Sequence, residues 1–239
     1  MFNEPVNMKS GYNLRAFVKN SKVYNFSPGP APIPYEVLNS IKEDLSQDSE
    51  VFEYGITPCE ISHRSPEFNE IKNSAEFELI KLMNIPDNFQ ILWTQGGGHG
   101  QFSAIPLNMS ICNNDIINYV VTGTWSQRAY KESKKFINSN KITLSRFSHI
   151  NESLSYDELI ETYNLEEYLS NEHNYTYICS NETVNGLEYR DNSVLLPKIR
   201  GKLVVDMSSD FLTKRVNWDN IYVAFACTSK NLGMSGATV

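Results

Sequence analysis

Cysteine is scarce. The four residues Cys59, Cys112, Cys179 and Cys227 are scattered and no CxxC pair occurs. Most sit in apolar runs, which reads as free, core-type cysteines in a reducing compartment and argues against a disulfide framework. Positive charge is also short: 21 Lys and Arg stand against 28 Asp and Glu, a formal net charge of -7. That balance argues against non-specific nucleic-acid binding and gives no basic face for a membrane, so an anionic substrate must be drawn by local positive charge. No apolar run reaches membrane-spanning length. Internal repeats and low-complexity tracts are absent. The glycine cluster Gln95 to Gln101 is followed by no Gly-Lys-Ser/Thr, so it is not a Walker loop, and it lacks the GxGxxG pattern with a ribose-binding acid at the expected distance.

What is present is enough apolar material for one large domain: 239 residues, 41% hydrophobic and 12% aromatic. The first 24 residues carry Lys9, Arg15, Lys19 and Lys22 but one acid, Glu4. Without a clean amphipathic arginine pattern they read as an N-terminal extension ahead of a cytoplasmic protein, with organellar targeting left open. The run NFSPGPAPIP, from Asn25 to Pro34, is an extended loop, and Pro34 suits the first turn of the next helix. Val37, Leu38, Ile41 and Leu45 then recur at helical spacing. A second polar loop, EISHRSPEF, places His63 beside Arg64. Pro66 opens a helix with Phe68, Ile71, Ala75, Leu79 and Leu82 on one face.

Strands are expected at Phe89 to Thr94, Ile116 to Thr122, Lys141 to Phe147 (edge or half-buried), Tyr175 to Cys179, Lys202 to Asp206 and Ile221 to Cys227. A helix is expected over Tyr156 to Leu169. The last apolar run, continuous from Ile221 to Cys227, predicts a strand buried on both faces. The alternation of strands and helices predicts an α/β fold with a largely parallel sheet and a ligand at its carboxyl edge.

Several polar residues follow these strand ends. Lys230 comes just after the Ile221–Cys227 run. A lysine held there, with burial favouring its neutral amine, is suited to a Schiff base with an aldehyde; a surface-loop lysine is the plain alternative. The QGGGHGQ loop, between a strand and a helix start, suits a phosphate cradle that includes Gly98 and His99. Trp125 follows a Thr-Gly-Thr turn, where its flat face could stack on an aromatic group; core packing is the ordinary fate of a tryptophan. The polar cluster Ser180 to Thr183 reads as a site edge or as a capped turn. Arg64 reads as a carboxylate or phosphate ligand or as a solvated arginine. Asp206, at the end of three apolar residues, is an acid in need of a partner. One such partner is a protonated pyridine nitrogen; a metal is disfavoured because no second acid or histidine is expected close by.

Seven stretches in order, NFSPGP, EISHRS, QGGGHGQF, VVTGTWS, NETVNG, VVDMSSD and SKNLGMSG, resemble the phosphoserine aminotransferases, pyridoxal-phosphate enzymes of fold type I, class V. The likeness runs from about Asn25 to the last residue. It implies a large cofactor-binding domain over 35–239, preceded by an arm and extension over 1–34. It implies that Lys230 forms the Schiff base and moves the proton, Asp206 pairs with the pyridine nitrogen, Trp125 stacks on the ring, and Gly98 and His99 hold the phosphate. Thr183 then lies by the ring, and His63 and Arg64 receive the substrate's anionic groups. The implied reaction moves an amino group between phosphoserine with 2-oxoglutarate and 3-phosphohydroxypyruvate with glutamate, in serine biosynthesis, within a homodimer of the full-length protein. The family usually has a cofactor-binding glutamine where Ser229 stands here. Its members continue well past Val239, so the likeness further implies an incomplete large domain without the C-terminal small domain. Two other readings keep the motifs: an inactive remnant that acts as a binding or dimerisation partner, and lyase or desulfurase chemistry, which the absence of a loop nucleophile cysteine disfavours.

Overall fold

Five parallel strands form the centre of the computed structural model, which describes residues 26–46, 56–110, 117–143, 173–189 and 201–239. They are β1 (Ile117–Val121), β2 (Asn140–Thr143), β3 (His173–Cys179), β6 (Gly201–Asp206) and β7 (Ile221–Phe225), in the order β2-β1-β3-β6-β7. A short antiparallel hairpin, β4 (Asn181–Glu182) with β5 (Leu187–Glu188), follows β3 directly. Four helices are described: α1 (Tyr35–Asp44), α2 (Pro66–Met83), α3 (Gly97–Met109) and α4 (Thr124–Ser133). The α/β class and the parallel sheet expected from the sequence are both found.

Alternation along the strands builds two cores, because successive side chains point to opposite faces. Ile117, Tyr119, Val121, Tyr175, Tyr177, Val204 and Phe225 face α3 and α4, meeting Phe102, Ile105, Met109 and Ala129. Val120, Ile178, Leu203 and Val205 face the other way and meet Leu79 and Met83 of α2 with Trp218. Burying each such large side chain stabilises the fold by roughly 1.5–3 kcal/mol. With both faces covered, β1 and β6 carry the continuous apolar runs Tyr119–Val121 and Leu203–Val205.

Helix α2 begins where its sequence says it should. The Ser65 hydroxyl accepts the Phe68 N–H at 3.3 Å, Pro66 occupies the first turn, and the helix ends at Asn84 in the left-handed region (φ 49°). Of its expected apolar face, Leu79 is buried, while Ile71 and Leu82 are exposed. Helix α1 forms as expected, with Pro34 as N-cap rather than within the first turn, yet it buries no residue.

Two strand expectations are corrected. The run from Ile221 gives β7, but Tyr222 is 54% exposed, so the strand is not buried on both faces. It is the last strand of the described sheet, and a groove of about 480 Å³ lies between it and residues 85–94. Among the described residues Phe89 to Thr94 consequently has no ladder partner, and the bridge it makes there, Thr94 to Thr238, is antiparallel. The helix expected over 156–169, the second half of the strand expected from Lys141, Cys112, and the N-terminal extension lie outside the described residues.

Candidate active site

The carboxyl ends of β3, β6 and β7 lie side by side, with Cys179 opposite Asp206 and Asp206 opposite Phe225. Helices α3 and α4 start at the same edge. Between them is a cavity of about 160 Å³ lined by Gly98, His99, Trp125, Thr183, Asp206 and Lys230, together with Phe102, Cys179, Asn181, Ser208, Ser209 and Cys227. Six of the nine residues singled out in the sequence thus meet in one place.

Asp206 is its charged floor. The residue is 4% exposed, and burial raises its carboxyl pKa from the usual 3.8 to about 6. The Ser208 N–H donates to Oδ1 at 3.0 Å and the Tyr177 hydroxyl to Oδ2 at 3.1 Å, and both contacts pull the pKa back down. Burial and the neighbouring Asp206 carboxylate hold the Tyr177 phenol well above its ordinary value, so it remains a donor. A second acid stands closer to Asp206 than the sequence reading allowed. Asp210 is buried as well, but its carboxylate accepts from Ser180 and pairs with Lys214 Nζ at 2.9 Å. Among the described residues no group of three or more His, Cys, Asp or Glu is placed to hold a metal.

Trp125, the second residue of α4, forms a wall. Its indole N–H donates to the Thr183 hydroxyl at 3.0 Å, the His99 ring meets it edge-on at 5.9 Å, and the Arg128 guanidinium lies 4.8 Å from the ring centroid. Lys230 is half-buried in a turn after β7. That turn is tied at both ends: Thr228 accepts the N–H groups of Leu232 and Gly233 on its carbonyl (3.2 and 2.8 Å) and donates its hydroxyl to the Ala237 carbonyl (3.1 Å). Ser229 does not line the cavity. Its carbonyl accepts the Ala31 N–H at 2.9 Å, which lays the proline-rich arm over the lysine turn.

The two helix N-termini at this edge differ. Helix α3 has Gly96 at its N-cap, no side-chain cap and no acid in its first turn. Its first-turn N–H groups are available to an anion, and a Cβ on Gly98 would stand 3.3 Å from Ser208 Oγ, so glycine keeps the approach open. The first three N–H groups of α4 are already taken: Thr124 donates to Asn185 Oδ1 (2.8 Å), Trp125 to Glu182 Oε2 (2.7 Å) and Ser126 to Glu182 Oε1 (2.8 Å). Of the two, it is the α3 N-terminus, where Gly98 and His99 sit, that has no side-chain cap.

His63 and Arg64 are not brought in. They occupy an exposed turn before α2 and line no part of the cavity. Sequence reasoning missed Tyr177, Ser208 and Cys227. Ser208 had a signal, since it lies two residues past Asp206, at the distance where a backbone N–H can return to the carboxylate.

The model of the aminotransferase class-V family matches residues 23–239. The chain belongs to that family. Among similar proteins, the phosphoserine aminotransferase of Blochmanniella floridana is 39% identical over 219 residues, 91% of this chain and 56% of that protein. Chloroplastic phosphoserine aminotransferase 1 of Arabidopsis thaliana is 37% identical over 232 residues, 97% of this chain and 50% of that protein. Among solved structures, the PLP-bound phosphoserine aminotransferase of Trichomonas vaginalis superposes with a TM-score of 0.73 at 33% identity, covering 90% of this chain and 56% of that one. The chain spans about half the length of the relatives it matches.

Proposed function

We propose that this chain is the cofactor-binding part of a pyridoxal-phosphate-dependent phosphoserine aminotransferase, moving an amino group between phosphoserine with 2-oxoglutarate and 3-phosphohydroxypyruvate with glutamate. The observation that carries the reading is the meeting of Lys230, the buried Asp206 carboxylate and the Trp125 ring in one cavity beside an uncapped helix N-terminus. The residues fit the cofactor by their chemistry. A carboxylate with a raised pKa favours a cationic partner, and the pyridinium nitrogen is one. The α3 N-terminus, with Gly98 and His99, would hold the phosphate; Trp125 would lie against the ring and Thr183 beside it. Ser229, which lines no wall, would act through the placement of Lys230.

When bound, pyridoxal phosphate supplies an electron sink for the carbanion at the substrate α-carbon. The chain's own groups do the rest. The Lys230 amine would take the proton from that carbon and deliver it to the carbon that keeps the amino group, one group serving as base and then acid. The Tyr177 hydroxyl and Ser208 N–H fix the orientation of the Asp206 carboxylate. Phe102 and Trp125 exclude water from the cavity walls. His63 and Arg64, exposed on their turn, would receive the substrate's anionic groups from beside the cavity or from a second subunit.

The reading extends to the protein as a whole. Residues 35–239 would belong to the large cofactor-binding domain, with 1–34 as extension and arm. The exposed apolar residues Tyr35, Val37 and Leu38 of α1, with Leu45 just after it, support a homodimer in the full-length protein. The free thiols of Cys59, Cys179 and Cys227 support a reducing, cytoplasmic setting. The test is the visible absorbance of the chain mixed with pyridoxal phosphate, before and after phosphoserine. A band that phosphoserine shifts, and that Lys230→Ala lacks, is the expected result. A band indifferent to phosphoserine would overturn the substrate and leave a cofactor-binding remnant; no band at all would overturn the cofactor.

A further inference from the structure

Glu182 is the most deeply buried acid of the described residues, at 0% exposure, and no step of the proposed chemistry uses it. It sits in the β4–β5 hairpin. Its two carboxylate oxygens accept two consecutive backbone N–H groups, those of Trp125 and Ser126, at 2.7 and 2.8 Å. Asn185, from the same hairpin, accepts the preceding N–H, that of Thr124, at 2.8 Å. The first three N–H groups of α4 are thus capped by side chains some sixty residues away in the chain, while the local Ser126 hydroxyl accepts the N–H groups of Thr122 and Gly123 just before the helix. The fit is tight: a Cβ on Gly123 would stand 2.5 Å from Asn185 Oδ1 and 2.7 Å from Glu182 Cδ. Gly123 has φ -168°, which any residue can adopt, so the close approach alone demands glycine.

We propose that Glu182 and Asn185 are positioning residues that lock Trp125 and Thr183 into one rigid wall of the site. Trp125 is held at two points by adjacent residues of the hairpin. Its backbone N–H goes to Glu182 and its indole N–H to the Thr183 hydroxyl, at 3.0 Å. The hairpin is itself anchored, because Glu182 accepts the N–H groups of Asn185 and Gly186 on its carbonyl and Lys214 pairs with Glu188 at 3.0 Å. The indole plane therefore follows the hairpin. The same carboxylate offsets the positive end of the α4 dipole, so a ligand anion is directed to α3 alone.

Trp125 matters to the cofactor through the function proposed above, so the test separates the two ideas. The chain is labelled with 5-fluorotryptophan, giving ¹⁹F resonances for Trp93, Trp125 and Trp218, with Trp125 assigned by Trp125→Phe. Without any ligand, Glu182→Gln, which keeps the shape but turns an N–H donor toward one backbone N–H, should shift or broaden the Trp125 resonance and leave Trp93 and Trp218 in place. The dissociation constant for pyridoxal phosphate should then rise roughly tenfold or more, the loss expected for a charge-assisted hydrogen bond. Glu182→Ala should be worse than Glu182→Gln. An unmoved Trp125 resonance, or equal movement of all three, would overturn the positioning role whatever the cofactor does. Should Glu182→Gln fail to fold, Asn185→Ala, at an exposed residue, gives the same readout with the same two outcomes. If the parent chain binds no pyridoxal phosphate, the function fails while the ligand-free resonances still decide this proposal.

Discussion

Replacing Asp206 with asparagine should change how the ligand-free protein responds to pH, and the size of the change follows from burial. The unfolded carboxyl titrates near 3.8 and the folded one near 6. Between those values the folded chain keeps a proton that the unfolded chain has released, so stability falls as pH rises. The stabilising contribution is fully present below the unfolded value and lost once pH passes the folded one. At about 1.4 kcal/mol per pH unit, the gap is about 3 kcal/mol. For a chain of this size that is a melting-temperature difference of roughly 6–12 °C. Asparagine keeps the shape and both contacts, accepting the Ser208 N–H on its oxygen and donating its amide to the Tyr177 hydroxyl, which can accept as well as donate, but it does not titrate. Thermal unfolding followed by circular dichroism from pH 4 to pH 8 should show wild type losing that much ground to Asp206→Asn. Adding pyridoxal phosphate should abolish the loss in wild type, because a cation beside Asp206 favours its charged form. Parallel curves for the two ligand-free proteins would refute the reasoning.

Three further substitutions probe the same edge. Tyr177→Phe leaves Asp206 Oδ2 without its donor, so the pH midpoint of the wild-type stability loss should move upward, with a cost of about 1–3 kcal/mol at pH 8 in chemical denaturation. Gly98→Ala should separate folding from binding. The methyl meets only the rotatable Ser208 hydroxyl and removes a flexible residue from a helix, so ligand-free stability should hold or rise by up to about 1 kcal/mol while equilibrium titration shows weaker pyridoxal phosphate binding. Gly123→Ala should do the opposite at a site with no room to give. Its methyl collides with Glu182 and Asn185, and a stability loss of about 1–3 kcal/mol is expected in urea unfolding.

The parts of this site that were legible in the sequence share one property: their meaning is local. Lys230 and Asp206 follow apolar runs, Gly98 and His99 lie in a glycine cluster at a helix start, and Trp125 follows a turn. Tyr177 was not legible, because within β3 it is one more aromatic in an alternating pattern. Only the β3–β6 register, which sets Cys179 beside Asp206, brings its hydroxyl to the carboxylate. Glu182 stood in the polar cluster Ser180 to Thr183, but its partners were hidden for the same reason, since they lie 56 and 57 residues earlier. The sequence also overstated β7. An apolar run predicts burial on both faces only where something covers each face, and here Tyr222 borders the groove beside residues 85–94. Helix α1 shows the same limit, since its periodicity was read correctly but the described structure offers its apolar stripe no partner.

The raised pKa of Asp206 links folding to recognition. A fold selected for stability alone would place an apolar residue at the end of β6, where Val204 and Val205 are already fully buried. An aspartate there costs the ligand-free chain about 3 kcal/mol at neutral pH, and a cationic partner returns that energy when it binds. The α3 N-terminus is the complementary case: donors without a side-chain cap, relieved only by an anion or by water. The α4 N-terminus, by contrast, is relieved internally by Glu182 and Asn185, and it gains nothing from a ligand. On the function proposed above, the cavity would select for a flat molecule with a cation at one end and an anion at the other. Pyridoxal phosphate has this distribution, with its aldehyde carbon left for Lys230. A flat ligand carrying the phosphate but no basic ring nitrogen should satisfy α3 and leave Asp206 unrelieved. It should bind more weakly than pyridoxal phosphate, and its binding should weaken relative to pyridoxal phosphate as pH rises through about 6. Equal affinities for the two across that range, measured by equilibrium titration, would show that Asp206 does not select the ligand.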